Sequence, residues 1–177
     1  AMLLQSGAGN VWEALLLALG IGLAFGLMHG YLIAYLEIQP FIITLAGMFL
    51  AQGLLTTLHK DPLNVTKPAF VALRNFTIEI PWLGTVNRLG VFIPCEIKPG
   101  VFVVLVLVIL YAVLMKWSRF GRNVYAVGGN IQSARMLGIN VKKTLFLSYV
   151  ICGLTAGIGG FVFLMTTGAG NIGNGAL

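Results

Sequence analysis

Charged residues are scarce in this chain of 177 residues, of which only 9% are charged. Soluble domains carry roughly 25% charged residues. Hydrophobic residues make up 58% of the sequence, and its mean hydropathy is +0.95. A water-soluble fold of this size could not bury so much apolar surface. We therefore expect the lipid bilayer to be the solvent for most of the chain.

The sequence lacks the residues that several kinds of chemistry require. The two cysteines, Cys95 and Cys152, give neither a disulfide framework nor a metal-ligand spacing, so no metal and no other cofactor is expected. The sequence has no Walker A motif, which argues against ATP binding in a phosphate loop of its own. No catalytic pair stands at a usable spacing, so we expect no catalytic residues and no enzyme.

The net charge of +6 does not indicate a nucleic-acid partner. The basic residues cluster in loops beside apolar segments, where anionic lipid headgroups are the expected neighbours. The apolar segments themselves contain no Asp or Glu. A proton-coupled carrier often keeps such groups inside the membrane, so their absence counts against that class.

Four long apolar segments predict membrane-spanning helices, at residues 14–36, 38–59, 100–115 and 144–167. A bilayer core of about 30 Å needs about 20 helical residues, and lipid offers no hydrogen-bond partner to an open sheet edge. We expect an all-α, polytopic bundle of transmembrane helices that forms one domain over residues 1–177. Residues 1–4 resemble the end of an earlier apolar segment, and residues 168–177 have no charge and no stop, so we expect the chain to be a piece of a larger protein.

Glycines recur at helical spacing in the first and fourth of these segments. Such spacing places small residues on one helix face, where two backbones can approach closely. Ordinary glycine enrichment of membrane helices is the alternative. The residues are Gly22, Gly26 and Gly30 in the first segment, and Gly153, Gly157 and Gly160 in the fourth.

The two long loops differ in charge. Residues 116–143 hold six basic residues and no acidic one, whereas residues 60–99 hold five basic and three acidic residues. Loops rich in Lys and Arg stay on the cytoplasmic side. We therefore predict that residues 116–143 are cytoplasmic and residues 60–99 lie outside, where residues 76–82 alternate as in a short extended segment.

The basic loop contains the signature of a short helix. Asn130 is a good N-cap, and Gly128 and Gly129 before it allow a tight approach turn. Gly138 is the expected residue after the helix, with Ile139 folding back in a Schellman ending.

Three apolar residues of this helix, Ile131, Ala134 and Leu137, are expected to share one face. Two turns are too short to be stable in water alone, so the helix needs a surface on which to lie. The lipid interface, the parent protein itself and a groove on a cytoplasmic partner are the alternatives.

Polar residues inside the segments admit two readings. Thr44, Gln52 and Thr56 could line a translocation path as one stripe, although hydrogen bonding between helices is the favoured interpretation. His29 is the lone histidine of the first segment, and a neutral histidine bonded to a neighbour is favoured over a role in a pathway.

The loop resembles the cytoplasmic loop of ABC importer permeases of the branch that carries ribose, xylose and galactofuranose-type sugars. The matching residues are 125–130 (YAVGGN), Ala134, 137–140 (LGIN) and the lead-in 120–122 (FGR). Residues 38–48 (IQPFIITLAGM) are similar to a second motif of that family, and residues 152–154 (CGL) with 156–157 (AG) fit the span after the loop. Family members have further spans before and after this region.

The resemblance implies that the short helix is a coupling helix that docks onto a separate ATP-binding subunit. The implied ATPase-coupling residues are Gly128, Gly129, Asn130, Ile131, Ala134, Leu137, Gly138 and Ile139. It also implies a bacterial inner-membrane location, a second permease subunit (identical or different) and a periplasmic sugar-binding protein. A branched-chain amino acid permease, a channel or secondary carrier, and a structural anchor stay open as alternatives.

Overall fold

Six helices make up most of the structure, a computed structural model that describes residues 11–58, 63–64, 78–86, 92–97, 99–167 and 169–170. The helices are α1 (Val11–Ala34), α2 (Pro40–Leu58), α3 (Pro99–Trp117), α4 (Arg119–Gly129), α5 (Ile131–Met136) and α6 (Val141–Thr167). Four of them, α1, α2, α3 and α6, are long and apolar enough to cross a membrane. The prediction of an all-α, polytopic membrane protein is confirmed.

Two small pairs of strands lie near the ends of the spans. Strands β2 (Ile78–Val86) and β3 (Phe92–Ile97) form an antiparallel hairpin, so the extended segment expected at 76–82 is confirmed for its described part, and residues 76–77 lie outside the described residues. The pairing register shifts between Ile80 and Gly84, beside Pro81, as expected because proline has no amide to donate to a ladder. Strand β1 (Leu63–Asn64) pairs with β4 (Ala169–Gly170), which brings the chain after α2 close to the end of α6.

Helices α1 and α6 pack against each other through glycine. A Cβ on Gly22 would overlap the Gly153 carbonyl oxygen, and one on Gly26 would lie 2.9 Å from the Tyr149 carbonyl oxygen. A Cβ on Gly157 would lie 2.6 Å from the Ala18 carbonyl oxygen. The predicted close approach of two glycine faces is therefore confirmed. In lipid, dispersion contacts between closely packed backbones are a main source of helix association.

One glycine of the predicted face takes no part in this contact. Nothing lies within 4 Å of a Cβ placed on Gly160, so its inclusion in the packing face was wrong. Gly160 shares a helix face with Gly153 and Gly157, so the close approach of α1 and α6 ends before the turn that holds Gly160.

A short turn joins α1 to α2. Glu37 has a φ of 54°, in the left-handed region, and the Ile38 amide donates to the Leu32 carbonyl at 3.4 Å. Pro40 opens α2 at the first helical position, where a missing amide hydrogen costs nothing. The Glu37 carboxylate pairs with Lys142 at the start of α6, 3.0 Å away. This pair places the α1–α2 turn and the loop before α6 on the same side of the bundle.

Candidate functional site

A sharp corner connects the third span to the loop. Ser118 is the residue between α3 and α4, and its hydroxyl oxygen accepts from the Gly121 amide at 2.9 Å, which caps α4. A Cβ on Gly121 would collide with the backbone of Met115, whose Cα would lie 2.6 Å away. Glycine at 121 therefore allows α4 to turn back tightly against the end of α3.

Helix α4 is an amphipathic helix that the sequence reasoning missed. Gly121 and Val127 are buried on its inner side, whereas Arg119, Arg122 and Tyr125 are exposed at a spacing of three residues. Apolar residues at 120, 124 and 127, at helical spacing after Ser118, are the signal that could have revealed it. The glycine pair 128–129 was expected to form a turn, but both residues belong to the last turn of α4. The turn prediction was wrong because Asn130 alone makes the change of direction.

Helix α5 has both of its predicted caps. The Asn130 side-chain oxygen accepts from the amides of Gln132 at 2.9 Å and Ser133 at 3.0 Å. At the other end Gly138 has a φ of +76°, and its amide donates to the Arg135 carbonyl at 3.0 Å.

The return of the chain after α5 completes a Schellman ending. The Ile139 amide donates to the Ala134 carbonyl at 3.1 Å, which is the second bond of this motif. Asn140 then caps α6, since its side-chain oxygen accepts from the Lys143 amide at 3.1 Å. Three caps thus fix the short loop between α4 and α6.

A small core holds α5 against its own chain. Ala134 is only 1% exposed and packs with Val127 of α4 and Val141 of α6, and Ile139 packs against the same group. Of the three apolar residues expected to share one face, Ala134 alone is buried, whereas Ile131 is 46% and Leu137 is 75% exposed. The expectation that the three residues share one face was therefore wrong. The helix ends at Met136, so Leu137 is its C-cap and lies outside the helix.

The outer surface of α5 is apolar at its end. Met136 is 90% exposed and lies next to Leu137, and these two residues form what we call the apolar tip. Nearby basic residues are Arg135 on α5 and Lys142 on α6. The Lys142 ammonium donates to Glu37 and holds the pKa of that carboxyl below its ordinary value of 4.5. The site thus presents an apolar surface with a basic rim.

A cavity of about 550 Å³ lies between α1, α2 and α6. Thr44 lines it, whereas Gln52 and Thr56 do not, so the structure does not bring the three predicted path residues together. The Thr44 hydroxyl donates to the Pro40 carbonyl at 3.0 Å, and the Thr56 hydroxyl donates to the Gln52 carbonyl at 2.9 Å. Both bonds stay within α2, and among the described residues neither threonine forms the expected hydrogen bond to another helix.

His29 also lines this cavity and contacts Gly47 of α2. Within the described residues its Nε2 is buried and has no hydrogen-bond partner. The favoured interpretation, a histidine bonded to a neighbour, was therefore wrong for this nitrogen. The imidazole fits between α1 and α2 because Gly47 has no side chain there, and the Phe25 ring lies 5.9 Å from the imidazole, measured between ring centroids.

A comparison with protein families gives one match that covers nearly the whole chain. The family is described as the permease component of the branched-chain amino acid transport system, and its model matches residues 1–176. No solved structure matches the chain.

Curated proteins similar to this chain include several permeases. The chain is 34% identical over 154 residues to the inner membrane ABC transporter permease protein YjfF of Escherichia coli K12, covering 87% of this chain and 43% of the relative. It is 35% identical over 161 residues to the fructose import permease protein FruF of Bifidobacterium longum, covering 90% and 42%. For the ribose import permease protein RbsC of E. coli K12 the identity is 33% over 154 residues, covering 86% and 44%. The chain thus spans less than half the length of these relatives.

Proposed function

The chain belongs to the family of permease components described for branched-chain amino acid transport, and from this premise we propose that it forms part of the membrane-spanning subunit of a bacterial ABC importer. In this proposal the energy comes from ATP hydrolysis on a separate cytoplasmic subunit. The spans then alternate between inward-facing and outward-facing arrangements in the inner membrane.

The proposed solute is a sugar. The family description refers to amino acids, but the named relatives FruF and RbsC are import permeases for fructose and ribose. A branched-chain amino acid remains the rival solute. The proposal therefore includes a periplasmic sugar-binding protein that delivers the solute, and a second permease subunit, identical or different, across the pathway.

The observation that carries the proposal is the construction of α5. The helix is capped at both ends, and its buried side is anchored by Ala134 on Val127 and Val141. Its other side leaves Met136 90% exposed to the surroundings of the loop. A short helix that is fixed to its own chain and still presents large apolar side chains fits helix-in-groove docking onto a partner.

In this proposal, the distribution of Lys and Arg decides which side of the membrane each loop faces. The α1–α2 turn and the loop before α6 lie on one side, since Glu37 pairs with Lys142. That loop carries the denser basic charge, so we assign this side to the cytoplasm. Residues 60–99 then lie in the periplasm. The exposed apolar side chains along α1, α2 and α3 contact lipid or the rest of the transporter.

The test is the association between the permease and its ATP-binding subunit. We expect Met136→Asp and Leu137→Asp each to weaken co-purification of that subunit. Removing a large apolar side chain from a buried contact costs about 1.5–3 kcal/mol, which is roughly 10–150-fold in affinity. Both residues are exposed in the chain itself, so neither change should disturb the fold.

One matched variant completes the test. Met136→Leu keeps an apolar side chain of similar volume, so it should retain the ATP-binding subunit. Ala134→Asp is unsuitable as a docking probe because Ala134 is buried against its own chain and the charge would unseat α5. Normal association of both Asp variants would show that α5 does not dock the motor subunit.

A further inference from the structure

The cavity between α1, α2 and α6 is lined by uncharged residues. Small and apolar residues form most of them, and none of its lining residues is Asp, Glu, Lys or Arg. Its volume of about 550 Å³ is within the range of pockets that hold small organic molecules. Its polar side chains include His29 on α1 and Thr44 on α2.

The absence of charged side chains from these walls restricts the class of solute. A free amino acid carries an ammonium and a carboxylate, and the described walls offer neither ion a charged partner. Any loss of hydration by these ions at the walls would therefore be uncompensated. A neutral polyhydroxyl compound needs only neutral hydrogen bonds, and its C–H groups can pack on apolar residues such as Phe25 and Met48. The walls therefore favour a sugar over an amino acid.

Two groups on the walls can bond to hydroxyls. The Thr44 hydroxyl donates its hydrogen to its own helix, and its oxygen can still accept from another group. Nε2 of His29 has no hydrogen-bond partner among the described residues and lies against Gly47. A buried polar atom without a partner is unfavourable, so separation of α2 from α1 at this point would let Nε2 regain a bond.

We propose that this cavity is a transit site for a neutral polyhydroxyl solute, and that His29 Nε2 hydrogen-bonds the solute when α2 moves away from α1 at Gly47. This inference rests on the proposed import function and specifies the chemistry of the path. In the arrangement seen here, the contact with Gly47 covers His29 Nε2 and leaves no room for a solute hydroxyl at that atom. The rocking of the spans opens it and exchanges a van der Waals contact for a hydrogen bond to the solute.

The first test measures uptake by the importer assembled with its ATP-binding subunit and reconstituted in vesicles. The probes are D-ribose, D-fructose, D-galactose and L-leucine. We expect His29→Leu to lower ATP-dependent sugar uptake roughly tenfold, as for one lost hydrogen bond. His29→Gln retains an amide that can donate and accept, so it should stay within about threefold of the unaltered importer. Both variants should retain the ATP-binding subunit, because His29 lies between α1 and α2, whereas the proposed docking residues Met136 and Leu137 are exposed on the loop.

The second test does not depend on a variant of His29. Cys152 lines the cavity, so a small thiol reagent can report its occupancy in a Cys95→Ser background. The sugar that is taken up should slow the labelling of Cys152, and leucine should not. This measurement decides the matter if His29→Leu fails to assemble.

The outcomes separate this inference from the proposed function. Unaltered uptake by an assembled His29→Leu importer, a Cys152 that no reagent reaches, or labelling that the transported sugar leaves unchanged would each refute the transit site while ATP-driven import stands. Protection by leucine alone would refute the assignment of a neutral solute. If the unaltered importer shows no ATP-dependent uptake of any probe, the proposed function itself is refuted.

Discussion

Replacing Gly153 with alanine should weaken the contact between α1 and α6 by a predictable amount. A Cβ at this position would lie 2.7 Å from the Gly26 Cα and 2.9 Å from its amide nitrogen, and would overlap the Gly22 carbonyl oxygen. All of these are backbone atoms that cannot rotate away. The two helices must therefore separate or tilt to admit one methyl group.

The size of the effect can be isolated by comparison with Gly159→Ala on the same helix. Nothing lies within 4 Å of a Cβ placed on Gly159. Both substitutions gain the same helix preference of alanine over glycine, about 0.5–1 kcal/mol. This gain cancels in the difference between the two variants. What remains is the cost of overpacking a close contact, about 1–3 kcal/mol.

The assay is reversible unfolding of the two variants in mixed micelles, followed as loss of helix while the denaturing detergent increases. We expect Gly153→Ala to be less stable than Gly159→Ala by about 1–3 kcal/mol. A difference below about 0.3 kcal/mol, within the usual scatter for independent sites, would mean that the backbones do not approach as described. The reasoning about glycine contacts would then be refuted for this helix pair.

Two further predictions concern the loop and its ion pair. Asn130→Ala should speed amide hydrogen exchange in α5, because losing the cap costs about 1 kcal/mol of helix stability. Asn130→Asp keeps a capping oxygen, so it should preserve the protection of these amides from exchange. Equal exchange rates in the two variants would contradict the capping role. The Glu37 carboxyl has a lowered pKa, so its pairing with Lys142 stabilises the fold above pH 4.5 and is lost as the pH falls through the lowered pKa. Glu37→Gln should therefore lower Tm slightly at pH 7, and this deficit should shrink as the pH falls below 4.5 and through the lowered pKa of the carboxyl. A deficit that stays constant as the pH is lowered would contradict this.

The features that could be predicted from the sequence depend on short-range patterns. The four apolar helices, the Asn130 cap and the Gly138 ending each follow from residues that lie within a few positions of one another. The glycine faces of α1 and α6 were also visible because their spacing is regular. Interactions between residues that are close in the sequence determine these elements, so the sequence was sufficient to predict them.

The errors concern contacts between distant segments. The burial of Ala134 depends on Val127 and Val141, and nothing within α5 shows which side they cover. The position of His29 against Gly47 likewise depends on how α1 and α2 cross. Helix α4 was missed for a different reason: its two arginines and three glycines conceal a modest apolar face.

The connections around the loop have a mechanical consequence. Ser118 alone separates α3 from α4, and Asn130 alone separates α4 from α5. A long flexible loop can absorb the displacement of one helix without moving the next. A single-residue joint with a fixed cap can absorb almost no displacement. Helix α4 has 11 residues and is about 16 Å long, so it acts as a stiff lever. A small push on the apolar tip would therefore tilt α3 through α4, and lengthening either joint with flexible residues would disconnect the tip from that span.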